Sequence, residues 1–170
     1  MNTMVSGGLS VMLLAVAAPA LADSVSGQFA VEGKAPLKPA AAAAFVAEDK
    51  STFVLLTPKP VDRAAIAKSS DPYSVAINDP SLRGTDYLAF WVDAKGKVTM
   101  NATVGGTQYM DTSGLMMGQK GSLVASCSAN TPEHAACSVK TTKTVKFRDE
   151  PGWSLDMTFD VAVTPHAAGK

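Results

Sequence analysis

Two cysteines, two histidines and a pair of spaced aspartates are the first residues in this chain whose types and spacing bear on chemistry. Cys127 and Cys137 are the only cysteines, and an even count in an exported chain favours a disulfide. Between them lies a polar segment with turn residues, Ser-Ala-Asn-Thr-Pro-Glu-His-Ala-Ala, whose base a bridge would staple. Chain entropy assigns such a short loop about 2.5–3 kcal/mol of stabilisation. A redox pair instead needs a low-pKa thiolate, often in Cys-x-x-Cys at a helix start. This spacing supplies neither, so a structural bridge is expected.

The other candidates are weaker. His134, beside Glu133, and His166 lie far apart in sequence, and zinc takes three or four close ligands. Both histidines read as solvated loop residues, and no metal site is expected. Asp156 and Asp160 share one face of an extended segment with Thr158 between them. Paired carboxylates can do acid–base work or hold a hard cation. Alternating polar residues are equally what a solvent-facing strand shows, and Ca²⁺ usually takes its six to eight oxygens from a loop. No Gly-x-Ser-x-Gly elbow is present. Gly105-Gly106 and Gly118 to Gly121 do not follow a phosphate-loop pattern and read as turns. No catalytic residue and no cofactor is expected from these motifs.

One segment has contact chemistry. Tyr109-Met110-Asp111-Thr112-Ser113-Gly114-Leu115-Met116-Met117-Gly118 mixes turn residues with large flexible apolar ones. Methionine adapts to irregular surfaces and recurs at promiscuous binding sites. Tyr109, Met110, Leu115, Met116 and Met117 are therefore the expected partner-contact residues. The competing reading is a hairpin whose methionines and leucine fill the end of the core. Met116 and Met117 are adjacent, so in an extended chain they point opposite ways.

The elements that must position these residues are mostly strands. Trp153, Leu155, Met157, Phe159, Val161 and Val163 alternate with mostly polar residues, giving one buried and one wet face. Tyr87 to Val92 runs through Asp93-Ala94-Lys95-Gly96-Lys97 into Val98, Met100, Ala102 and Val104, a hairpin with a glycine turn. Phe53-Val54-Leu55-Leu56 reads as a strand buried on both faces. Val25 to Glu32, Ser122 to Cys127 and Val139 to Phe147 complete the strand signals. Lys140, Lys143, Lys146 and Arg148 look like edge protection. Asp62 caps a short helical run Arg63 to Lys68, and Asp71-Pro72 starts another turn. Ala40 to Glu48 has helical propensity but leads straight into Phe53. The expected fold is mainly β: an antiparallel β-sandwich of about seven or eight strands with one or two short helices between Pro58 and Gly84.

The N-terminus carries a secretory pattern. An apolar run from Leu9 to Ala18 meets Pro19 and Ala20-Leu21-Ala22, followed by Asp23. Met1 to Ser10 lacks Lys and Arg, a departure from that pattern. The run is too short to span a bilayer, which takes about 20 apolar residues. Residues 1–22 are thus an expected signal peptide, cleaved after Ala22, and 23–170 a single β-rich domain in the periplasm or outside the cell. No Cys follows the site, so no lipid anchor is expected. No later segment suits a transmembrane helix, so an integral membrane protein is not expected. Fifteen basic and fifteen acidic residues balance, which gives no electrostatic case for nucleic acid or an anionic membrane.

Gly33-Lys34-Ala35-Pro36-Leu37-Lys38-Pro39-Ala40, followed by Phe53-Val54-Leu55-Leu56-Thr57-Pro58-Lys59-Pro60-Val61, resembles a largely uncharacterised group of exported Gram-negative proteins. In that group an apolar strand ends in a Lys-Pro turn and a short helix. Segments like Tyr87 to Val98 and the C-terminal alternating strand also occur there. The resemblance spans most of the chain after Ala22 and implies a strand for Ala40 to Val46. This chain departs from the group in its alanines there and in its Cys127–Cys137 loop. What the resemblance implies is a β-rich exported domain, with no activity attached. A non-enzymatic binding or interaction domain, with a protein or envelope ligand as partner, is the expected function. A secreted enzyme with a dispersed site, or an envelope structural or client-binding protein, is the alternative.

Overall fold

A computed structural model describes residues 23–111, 122–146 and 148–166. The last strand organises the rest. β9 (Trp153–Thr164) buries every odd residue and leaves the even ones wholly or partly exposed, as its alternation dictates. Strand β8 (His134–Thr141) lies antiparallel along one of its edges, and β7 (Leu123–Asn130) lies beside β8. Along the other edge β1 (Ser24–Val31) pairs antiparallel with Trp153 to Asp160. Beyond the end of β1, β2 (Ala41–Val46) takes over that edge, pairing in parallel with Val163 and Thr164.

From β2 the sheet continues through β3 (Thr52–Thr57), β4 (Tyr87–Val92), β5 (Val98–Val104) and β6 (Thr107–Asp111). The path is β6-β5-β4-β3-β2-β9-β8-β7, with β1 against β9. The fold is thus mainly β, but a curled mixed half-barrel replaces the expected antiparallel sandwich. The physical reason is the length of β9. Twelve residues outrun β1, and the surplus pairs with β2 instead of ending in a loop.

Curling brings one face of the sheet onto itself. Phe29, Leu56, Phe90, Met100, Tyr109, Val139 and the odd residues of β9 fill that interior. Phe90 and Phe159 stack across it with ring centroids 5.7 Å apart. Two short helices cover part of the opposite face. α1 (Arg63–Ile66) is capped by Asp62 and α2 (Pro72–Asn78) by Asp71, each carboxylate accepting a backbone N–H three residues on. Ile66, Ala76 and Leu82 pack there on Ala43, Phe45, Phe53, Leu55, Tyr87 and Ala89. Strand β3 is consequently buried on both faces.

Of the two readings open for Ala40 to Glu48, the strand holds: β2 lies within it, as the resemblance implies. Two other sequence expectations change. The polar segment between the cysteines is mostly strand, turning only at Pro132-Glu133, with Thr131 and His134 exchanging backbone hydrogen bonds. The lysines after Val139 do not guard an edge: β8 ends at Thr141 and lies between β9 and β7.

Gly27 sits where β1 crosses β9. Its φ is +106°, and a Cβ there would lie 2.0 Å from the Asp156 carbonyl oxygen. Gly33, with φ +76°, has open space around it. Gly33→Ala should therefore cost only the left-handed penalty of about 1–2 kcal/mol. Gly27→Ala should cost at least twice that, about 2–4 kcal/mol. Urea midpoints of the two variants check this, and equal midpoints would contradict the packing described.

Candidate functional site

The wet end of the helix-covered face carries a row of rings. Phe45 on β2, Phe53 on β3 and Trp91 on β4 are direct cross-strand neighbours by register. Phe53 is fully buried and Trp91 half-buried. Tyr73, near the start of α2, closes over them. Its ring centroid lies 4.9 Å from that of Trp91 and 5.8 Å from that of Phe53, both edge-on, and Phe53 and Trp91 are 5.4 Å apart. These separations lie in the range that favours aromatic pairs.

The rings wall a recess of about 190 Å³. One rim is the β2–β3 turn, with Ala47, Glu48 and Asp49. The other is the lead into α2, with Ser70, Asp71 and Pro72. The turn is held by Ala47 N–H donating to the Ser51 carbonyl at 2.9 Å, with Lys50 in the left-handed region at φ 66°. Asp49 Oδ1 accepts from the Ser51 hydroxyl at 2.6 Å and the Ser51 N–H at 2.9 Å. Those bonds hold the Asp49 carboxyl below its usual range, so it is a carboxylate at neutral pH. Tyr73 moves the other way. Burial first, then the neighbouring Tyr87 hydroxyl and Asp71, push its phenol well above the ordinary value. Asn101 Nδ2 donates to the Tyr73 oxygen at 2.7 Å. Tyr73 is thus a fixed, neutral ring.

Larger depressions lie elsewhere, about 480 Å³ beside Ser26 and Lys38, about 460 Å³ beside Val75 and Pro80 and about 260 Å³ between Lys140 and Ser154. None of these three has an aromatic wall. Ligand sites combine apolar walls with a few convergent polar groups, and the ring-walled recess joins three aromatic side chains to such groups.

No protein-family model, curated protein or solved structure matches this chain.

The sequence-derived candidates fall in several places. Cys127 and Cys137 form a disulfide and face each other across β7 and β8. Tyr109 belongs to the core. It is 4% exposed, packs on Phe29 at 5.7 Å, and has Lys34 Nζ 5.5 Å from its ring centre. Met110, its neighbour on the opposite face, is 60% exposed. Leu115, Met116 and Met117 lie outside the described residues. Asp156 and Asp160 share the wet face of β9 as expected, and Asp160 also pairs with His134, Oδ1 to Nε2 at 2.6 Å. His134 is therefore a partly buried first residue of β8 and not the solvated loop residue expected, and its contact fastens β8 to β9. Among the described residues no group of three His, Cys, Asp or Glu side chains could hold a metal ion. No helix there is long and apolar enough to cross a membrane.

The recess was missed in sequence because Phe53 and Trp91 are 38 positions apart and become neighbours only through register. The available signal was Trp91 in a strand apolar on both faces, together with an aromatic directly after Asp71-Pro72.

The disulfide closes a ten-residue separation between adjacent strands. Reduction should lower stability by about 2.5–3 kcal/mol while leaving the β signature intact. Urea unfolding with and without reductant, read by far-ultraviolet circular dichroism, checks it. Unchanged stability, or two free thiols in the unreduced denatured protein, would contradict it.

Proposed function

We propose that the protein is an exported, non-enzymatic binding domain whose ligand site is the recess between the β2–β3 turn and α2. The observation that carries this reading is the packed cluster of rings, Phe53, Tyr73 and Trp91, that lines one partly open recess. Its lining offers ring faces, carboxylates and a neutral phenol, which is the chemistry of contact. At about 190 Å³ it falls below the 300–1,000 Å³ of drug-sized pockets, so the ligand is a small molecule or one group of a larger one.

Export is supported by the secretory pattern before Asp23 and by the disulfide, which persists in oxidising compartments. Asp23 is itself docked. Its carboxylate pairs with Arg63 of α1 at 2.6 Å and accepts from the Ala162 N–H at 2.8 Å. A chain that begins at Asp23 therefore begins with a residue the fold uses. Intact-mass measurement of periplasmic protein should give 23–170, and retention of residues 1–22 in that fraction would contradict processing there.

The binding reading is tested on the protein beginning at Asp23, by nuclear magnetic resonance with a fragment set of small amines, carboxylates, sugars and neutral aromatics. Binders should shift the Trp91 indole N–H and the amides of Asp49 and Asp71. Shifts confined to other surfaces, or no binder in the set, would overturn the assignment of this recess.

A further inference from the structure

We propose that the recess takes a weakly hydrated organic cation of the quaternary-ammonium type. This deepens the binding-site reading above and rests on it. Three observations point the same way. Rings from three different elements line the recess as one packed cluster: Phe53 is fully buried beneath the half-buried Tyr73 and Trp91, and Tyr73 is anchored by Asn101 at 2.7 Å. Rings carry a negative face that attracts a cation within about 6 Å, most strongly for Trp. The rim is acidic. Glu48, Asp49 and Asp71 line it, and no Lys, Arg or His is among the described lining residues. An anion would meet like charge there, and a cation its complement. The Ser51 bonds keep Asp49 ionised, so its share of that field persists at neutral and mildly acidic pH.

The methylated head group follows from what the walls lack. A primary ammonium is strongly hydrated and carries three N–H donors that need acceptors when it leaves water. The rings supply attraction without acceptors, and two of the three rim carboxylates already accept backbone N–H groups, Asp49 from Ser51 and Asp71 from Ser74. A cation without N–H groups loses least on entering, and its methyl groups pack on the rings. The volume of about 190 Å³ suits one such head group. Tyr73 contributes a neutral ring because its phenol stays protonated over the physiological range.

The experiment titrates the disulfide-intact protein beginning at Asp23 with choline chloride and tetramethylammonium chloride, and with 3,3-dimethylbutan-1-ol, the neutral isostere of choline. The readout is the Trp91 indole resonance, assigned with a Trp91→Leu variant. Choline should bind about tenfold more tightly than the alcohol, the ratio expected of a cation over aromatic faces. Glu48→Gln should weaken choline about twofold and reduce its salt dependence, without affecting the alcohol. Trp91→Leu should lose the choline response at the amides of Asp49 and Asp71 while keeping the β9 amide resonances that report the fold. Equal binding of choline and the alcohol would overturn the cation proposal and leave the recess a binding site. No response to any probe, with no response to the fragment set, would overturn both.

Discussion

Everything in this structure depends on the pairing of one long strand with two different partners along the same edge. β9 carries β1 over its first eight residues and β2 at its end, while β8 holds the opposite edge. Its odd residues are buried throughout its length, so one continuous apolar stripe runs through both parts of the sheet. Strand twist curls the sheet around that stripe. That curling seals the interior and leaves the other face of β2, β3 and β4 without a sheet to cover it.

The helices answer that deficit, and the recess is where their cover stops. α1 and α2 are too short to be stable alone, and most helical stability comes from packing of an apolar face. They sit on Phe45, Phe53, Leu55 and Ala89, held by Asp62 and Asp71 at their starts. Beyond α2, Trp91 is left only half covered, with Tyr73 against it and the β2–β3 turn opposite. The ring-walled space is thus a consequence of short helices on a wider sheet. Its acidic rim comes from residues with structural duties of their own: Asp49 closes a turn and Asp71 caps a helix.

The parts of this arrangement legible in the sequence are those fixed by neighbours in the chain. The alternation of Trp153 to Val163, the two-faced apolar run Phe53 to Leu56, the Asp93 to Lys97 turn and the caps at Asp62 and Asp71 all stand as read. What failed was set by distant pairing. The parallel contact of Ala44 and Phe45 with Val163 and Thr164 joins segments about 120 residues apart and leaves no periodic trace. The cysteines gave the disulfide, but the turn residues between them also suit a hairpin, and register alone distinguishes hairpin from loop. Tyr109 looked like a contact residue beside methionines, yet its position on β6 turns it onto Phe29. The recess needed the strand register, two turns and a helix together, so no local pattern announced it.

The central claim is that the ligand's cationic group lies against the cluster of rings that lines the recess. Intermolecular nuclear Overhauser effects between the methyl protons of bound choline and the ring protons of this protein test it most directly. The account predicts cross-peaks to Tyr73 and Trp91 together, the two rings of the cluster that are not fully buried. Cross-peaks to the exposed Met110 side chain on β6, with none to those two rings, would contradict it.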